Sequence, residues 1–406
     1  MNLYQQNDMK RQFELEAENG KKMNAMKVFS EMIKYLKNHI IDECKNKASE
    51  LTEADIKFVI TVPAIWTDPA KQFMREAAQN AGITKENLLI ALEPEAASLF
   101  CKHLPLEKMA GSESGFNVFS PGSTYIVLDA GGGTIDITVH EVQSNGTLKE
   151  IQKANGGNWG GTMVDKAFRE FFDDIVGKSV MEKFRRDQKY DYLDLFRDFE
   201  IKKRTINIKT TEKVTFRFPT SLCEIYEQLN HNKLKDDLDK NCKYKGHIVW
   251  IRDKMRLSAD IAKGFFSKSV NHIVQHLEQL LKCHSVSKAS YILMVGGFSE
   301  SHMLQDAVKT AFSTKKIIIP KEAGLAVLKG AVAKKGKISL DITEDISIND
   351  ILPDDWSHFT YHGSLTTPPC FGTVQWIVMR CPIRISREAY EALANVSETQ
   401  HWEIDA

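Results

Sequence analysis

The sequence predicts an α/β protein of more than one lobe, followed by a short β-rich tail. Strand-like and helix-like runs alternate from Met26 to Val332, and two glycine clusters, Gly131–Gly133 and Gly296–Gly297, each follow an apolar strand. Past 333–337, proline and aromatic residues become frequent. At 406 residues the chain exceeds the roughly 250–300 at which one core stops growing, so two or three packed lobes are expected.

The elements follow in order. From Met26 to Cys44 the residues Phe29, Met32, Ile33, Leu36, Ile40 and Ile41 recur at helical spacing, which predicts an amphipathic packing helix. Phe58–Val62 is a β-branched run stopped by Pro63, and Thr67-Asp68-Pro69 then opens a helix with proline in its first turn. Leu88–Ala91 reads as a strand leading through Glu93-Pro94 into a small-residue helix. Tyr125–Leu128 and Ile135–Val142 read as strands on either side of the first glycine cluster, with a hairpin at Asn145-Gly146. Residues 158–208 read as helical, 212–218 as a strand and the Lys/Asp-rich stretch 231–245 as a solvated excursion. A long helix across 254–283, a strand at Tyr291–Val295, a helix over 300–312, a strand at Ile317–Pro320 and a last helix through Val332 complete the pattern.

Composition excludes more than it assigns. The 54 Lys and Arg cancel the 54 Asp and Glu, so no global field recruits nucleic acid or an anionic membrane. The seven cysteines are odd in number, scattered and never spaced Cys-x-x-Cys, which favours a reducing compartment. The first residues lack a signal-like apolar run, and no stretch approaches the roughly 18 apolar residues of a membrane span. A soluble, cytoplasmic protein is the expectation.

Asp129-Ala130-Gly131-Gly132-Gly133-Thr134 joins an acid at a strand end to three residues without Cβ atoms. Consecutive glycines let backbone N–H groups turn toward an anion. Asp129 can hold a hydrated Mg²⁺, Thr134 can donate a hydroxyl to phosphate, and Asp136 can orient a water. Alone, the segment has a blander alternative, a glycine-rich hairpin with an incidental aspartate. A second cluster, Gly296-Gly297-Phe298, again sits between a strand and a helix, where a base or ribose can lie on bare backbone. Neither cluster is a Gly-Lys-Ser/Thr loop or a Gly-x-Gly-x-x-Gly fingerprint.

Val62-Pro63-Ala64-Ile65-Trp66, Glu93-Pro94-Glu95-Ala96-Ala97, Asp129–Thr134, Gly157-Asn158-Trp159-Gly160-Gly161 and Val295-Gly296-Gly297-Phe298-Ser299 occur in the order found in one branch of the actin-like (ribonuclease H-like) ATPases. Over about 10–335 the chain resembles the seventy-kilodalton heat-shock proteins, in their member-twelve branch. That resemblance implies an actin-like two-lobed fold binding ATP or ADP with Mg²⁺. It implies that Asp129, Gly131, Gly132, Gly133 and Thr134 form the second phosphate loop, that Glu93 lies near the metal's water shell, and that Gly160 and Gly161 bracket the γ-phosphate side. Glu200, Lys203 and Arg204 match the helix that contacts adenosine, with Gly296, Gly297 and Phe298 facing it; an ordinary charged helix surface is the alternative for Lys203 and Arg204. The family's first phosphate loop and its hydrolytic lysine have no match at the start of this chain. Their loss is expected to remove about half the phosphate donors, leave the strand carrying Asp129 short of a supporting edge, and make turnover weak or absent.

The tail resembles a different family. His362-Gly363-Ser364-Leu365-Thr366-Thr367-Pro368-Pro369-Cys370, with Val374-Gln375-Trp376 and Pro382-Ile383-Arg384, is similar to the C-terminal part of the α-carbonic anhydrases over about 340–395. The resemblance implies that Thr366 orients a zinc-bound hydroxide, that Thr367 positions bicarbonate, and that Leu365, Val374 and Trp376 line the gas pocket. It also implies that Cys370 matches a cysteine bridged, in extracellular relatives, to one near their N-terminus. The reaction needs three imidazoles on Zn²⁺, two from a His-x-His pair, and no His-x-His occurs in the chain. His272 and His276 read as ordinary helix residues, and His358 and His362 fall where the family has no ligands. The expectation is therefore an incomplete heat-shock-type nucleotide-binding domain over 1–336 and a carbonic-anhydrase fragment over 337–406 that lacks its zinc site and its neighbouring strands.

Overall fold

Apolar residues on alternate positions of the central strands are buried on opposite faces of one sheet. The computed structural model describes residues 13–16, 21–47, 52–102, 104, 109–110, 118–240, 243–251, 254–333, 358–363 and 374–379. The chain divides into two compact units, Met1–Lys334 and Lys335–Ala406.

In the first unit, β1 (Glu14–Glu16) and β2 (Lys22–Asn24) form a ribbon leading into α1 (Ala25–Lys47). β3 (Phe58–Val62), α2 (Asp68–Asn80), β4 (Leu88–Leu92) and α3 (Glu93–Lys102) make a β-α-β-α unit whose strands pair in parallel. α1 packs on α2 through Phe29 and Phe73, whose rings meet edge to face at 5.6 Å. Then come β5 (Met109–Ala110), β6 (Thr124–Ala130), β7 (Ile135–Val142), β8 (Leu148–Gly157), α4 (Gly161–Val176), α5 (Lys178–Asp187) and α6 (Lys189–Lys203). A three-stranded sheet of β9 (Val214–Arg217), β10 (Ile248–Ile251) and β11 (Lys254–Leu257) encloses α7 (Thr220–Asn230) and α8 (Leu234–Lys240) in sequence. α9 (Ala259–Leu281), α10 (His284–Ser287), β12 (Tyr291–Val295), α11 (His302–Ala311), β13 (Lys316–Pro320) and α12 (Ala326–Ala333) finish the unit.

The main sheet has the order β5-β13-β12-β6-β7-β8. β12 runs parallel to β6 with Val295 opposite Asp129, so both strands end at the same level and each runs into its glycine turn there. β7 returns antiparallel, placing Asp136 opposite Asp129. Ile126, Leu128, Ile135 and Ile137 face a core filled by Phe168, Phe172 and Phe199, where Phe168 and Phe199 stack at 3.9 Å. Tyr125, Val127, Leu293 and Val295 face the other way, toward Ala97 and Cys101 of α3 and Ala326 of α12. Asp129 and Asp136 share that second face.

Three expectations need correction. The stretch 231–245 is not a solvated excursion: α8 and the turn after it bury Leu234, Leu238 and Tyr244 in the main core. The helix expected across 254–283 begins only at Ala259, because Lys254–Leu257 pair with both β9 and β10. The strand carrying Asp129 has no open edge, being paired by β12 on one side and β7 on the other.

In the second unit the described residues are β14 (His358–Gly363) and β15 (Val374–Met379), an antiparallel pair with Tyr361 opposite Trp376 and Gly363 opposite Val374. Leu365, Thr366, Thr367 and Cys370 lie outside the described residues, as does the expected boundary between 336 and 337.

Candidate functional site

The parallel register of β6 and β12 sets two glycine turns side by side at the carboxyl ends of adjacent strands, where open α/β sheets place their ligands. Residues 131–134 turn β6 into β7, closed by a 3.0 Å bond from the Gly131 N–H to the Thr134 carbonyl. The turn is solvent-accessible at Gly132. Its three carbonyls are gripped from one side: Gly160 N–H donates to Gly133 O (3.3 Å), Gly161 N–H to Gly131 O (3.2 Å) and Thr162 N–H to Gly132 O (2.8 Å). The amino end of α4 thus holds the loop by the backs of its peptides. A Cβ on Gly160 would stand 2.5 Å from the Gly131 carbonyl, so only glycine permits this approach.

The second turn is equally tight. Gly296 has φ +85°, its N–H donates to the Ala323 carbonyl at 2.9 Å, and a Cβ there would overlap the Asp129 carboxylate and the Ala130 carbonyl. Gly297 is exposed, whereas the Phe298 ring is buried in the main core and lies against Gly161. The backbone of this turn, not its aromatic ring, is what a ligand could meet.

Beneath the turns sit three acids. Asp129 is 5% exposed and Asp136 2% exposed, and each leaves one carboxylate oxygen without a hydrogen-bond partner. The other Asp136 oxygen accepts the Ile65 N–H at 3.3 Å, from the Pro63-Ala64-Ile65 turn after β3. Glu93 is half-buried at the start of α3. Burial pushes Glu93 up to about 8, helped by the charges of Asp129 and Asp136. Burial and then Asp136 push Asp129 up to about 7. Asp136 rises to about 6 because burial outweighs the Ile65 and Ala64 amides and the Lys71 charge. Such a set is costly without a cation and suits one that carries its own water. Among the described residues no three His, Cys, Asp or Glu side chains stand close enough to bind one metal ion directly.

Glu200 and Lys203 end α6, and Arg204 follows. Lys203 Nζ lies 2.5 Å from Glu200 and 2.7 Å from Asp165 of α4, while Arg204 reaches the other Glu200 oxygen at 3.1 Å. His272 and His276 of α9 both pack on Trp159, and His276 Nε2 meets Asn155 Oδ1 at 2.7 Å. Sequence reasoning missed Asp165 and the Ala64–Ile65 amides. Nothing in the local sequence singled out Asp165, whose partner Lys203 lies 38 residues away.

Fold and site together define an α/β protein with two adjacent glycine turns set beside buried acids. The chain is 34% identical to mouse heat shock 70 kDa protein 12A over 381 residues, covering 82% of this chain and 56% of that protein. Human heat shock 70 kDa protein 12A is 35% identical over the same coverage, and human heat shock 70 kDa protein 12B 33%. Most of the chain is therefore homologous to the heat shock 70 kDa protein 12 proteins, and it spans a little over half the length of these curated relatives. Residues 322–404 match the eukaryotic-type carbonic anhydrase family. A nacrein-like protein of Mytilus californianus is 46% identical over 59 residues, 14% of this chain and 18% of its own. The anhydrase match begins before α12, inside the first compact unit. No helix among the described residues is long and apolar enough to cross a membrane.

Proposed function

We propose that the first unit is an actin-like nucleotide-binding domain that takes ATP or ADP with Mg²⁺ weakly, with little or no hydrolysis, and that the anhydrase-like tail is not catalytic. The observation that carries this reading is the pairing of Asp129 with Val295 on parallel strands, which juxtaposes the two glycine turns over buried, part-unpartnered carboxylates. Asp129, Asp136 and Glu93 fit a hydrated divalent cation: the two aspartates offer orphaned oxygens, and Glu93 adds a third charge near them. Mg²⁺ bound there supplies neutralisation of phosphate charge. The amides of Gly132 and Gly133 and the Thr134 hydroxyl then hold phosphate oxygens, Gly131 closes the loop through its bond to the Thr134 carbonyl, and Gly160 and Gly161 fix the loop from behind. Glu200, Lys203 and Arg204 bind the adenosine across from the backbone of Gly296, Gly297 and Phe298.

Weak turnover is proposed because these 406 residues present one such phosphate loop, and a terminal phosphate needs donors on both sides. The odd number and wide scatter of the cysteines support a reducing, cytoplasmic setting. Titration calorimetry with ATP and Mg²⁺ tests the proposal. Saturable binding weaker than about 1 µM is expected, with hydrolysis near the uncatalysed background. Submicromolar binding with rapid turnover would overturn it.

A second reading rests on the anhydrase match at 322–404, which favours a zinc enzyme hydrating carbon dioxide. The chain has twelve histidines and no His-x-His among them, so the motif that would give two neighbouring imidazoles from one strand is missing from these residues. Thr366 then has no zinc-bound hydroxide to orient, Thr367 no bicarbonate to position, and the apolar residues Leu365, Val374 and Trp376 no zinc centre to serve. One zinc per chain, with hydration blocked by a sulfonamide, would establish this second reading instead.

A further inference from the structure

Lys203 is a poor candidate for a free surface cation. Its side chain is only 12% exposed, and its ammonium lies between two carboxylates from different helices, Glu200 at 2.5 Å and Asp165 at 2.7 Å. Glu200 is shared in turn: one oxygen takes Lys203 and the other takes the Arg204 guanidinium at 3.1 and 3.2 Å. The Arg204 side chain remains 70% exposed, so the chain Asp165–Lys203–Glu200–Arg204 runs from an inner helix to a guanidinium presented to solvent.

The inner end of that chain leads to the phosphate loop. Asp165 stands one turn beyond Gly161 on α4, and residues i and i+4 of a helix share a face. The amides of Gly161 and Thr162 grip the carbonyls of Gly131 and Gly132. One rigid helix end therefore fixes the loop at its first turn and the Lys203 ammonium at its second.

We infer that Asp165 is a positioning residue for base recognition: through Lys203 and Glu200 it sets the Arg204 guanidinium at a fixed place relative to the Gly131–Gly133 loop, selecting a ligand that carries both an aromatic base and phosphate. This rests on the nucleotide reading above. Burial raises the Asp165 carboxyl above its ordinary range, with the Lys203 contact opposing. In Glu200 burial also pushes upward, but Lys203 and Arg204 together outweigh it and hold the group low. Without Asp165, the ammonium would draw Glu200 away from Arg204, and the guanidinium would lose its support.

Competition titrations on the full chain with Mg·ADP and with magnesium pyrophosphate, a probe lacking the base, separate the possibilities. Asp165→Asn is expected to weaken Mg·ADP about tenfold, the scale of one lost charged hydrogen bond, and to leave pyrophosphate within twofold. Lys203→Met should show the same split, and it serves alone if Asp165→Asn does not fold. The double variant should bind Mg·ADP no worse than either single one, and Asp165→Glu should recover part of the affinity. Unchanged Mg·ADP affinity in both single variants, equal losses for both probes, or additive losses in the double variant would each overturn the inference. A wild-type chain that binds pyrophosphate and Mg·ADP equally well would overturn it too. If the wild-type chain binds neither probe, the nucleotide reading itself fails.

Discussion

Asp129 is one of three acids at the candidate site whose carboxyls burial pushes up. It is buried, partly unpartnered and faces a second acid across the β6–β7 pair. A carboxyl whose folded pKa is raised holds more protons in the folded chain than in the unfolded one, between about pH 4 and the raised value. Its contribution therefore destabilises the fold progressively as pH climbs through that window, the reverse of an ion-paired aspartate. With Asp136 near 6, Asp129 near 7 and Glu93 near 8, the ligand-free chain should lose stability from pH 5 to pH 8. Asp129→Asn should raise stability in urea denaturation at pH 8 by about 1–3 kcal/mol, with a smaller gain at pH 5. Magnesium affinity should move the other way, strengthening from pH 6 to pH 8 as the acids ionise, because the cation and the protons compete for the same oxygens. A stability that rises toward pH 8 without ligand would contradict these assignments.

At the scale of elements, α12 crosses α3 in close backbone contact. A Cβ on Gly330 would overlap the Ala96 carbonyl, and α3 is the helix that begins with Glu93. Gly330→Ala should cost about 2–4 kcal/mol by denaturant titration, because rigid backbone has to move. Leu328→Ala, on the exposed side of the same helix, should change stability by less than about 1 kcal/mol. What could be read from sequence follows the same logic of local pattern. The hairpin of β7 and β8 was legible because period-two alternation runs into Asn145-Gly146, and Gly146 takes the positive φ of +77° such a turn demands. α2 was legible from Thr67-Asp68-Pro69, and the two glycine turns from their place after β-branched strands. α8 was hidden because five of its seven residues are charged, which masks the i, i+4 pair Leu234 and Leu238. β11 was missed although Lys254–Leu257 alternates polar and apolar residues and Ser258 is the N-cap of α9, because four residues are too short to stand apart from the helical run until β9 and β10 pair with them. The Asp165–Lys203 contact spans 38 residues, a tertiary fact with no local trace.

At the scale of the whole molecule, two sequence families meet in one chain, and chemistry requires a complete ligand set from either. The proposed nucleotide site is built from residues of the first compact unit. Chains 1–406 and 1–334 should therefore bind Mg·ADP with the same affinity within about twofold, checked by calorimetry. Carbon dioxide hydration by the full chain, followed by stopped flow with added zinc, should equal the uncatalysed rate. The most direct test of a nucleotide site built from two glycine turns and three acids is Mg·ADP calorimetry on the wild-type chain beside Asp129→Asn. One saturable site in the wild type, abolished by the substitution while the variant stays folded, is the predicted result. No binding by the wild type at millimolar nucleotide, or equal binding by both proteins, would contradict it.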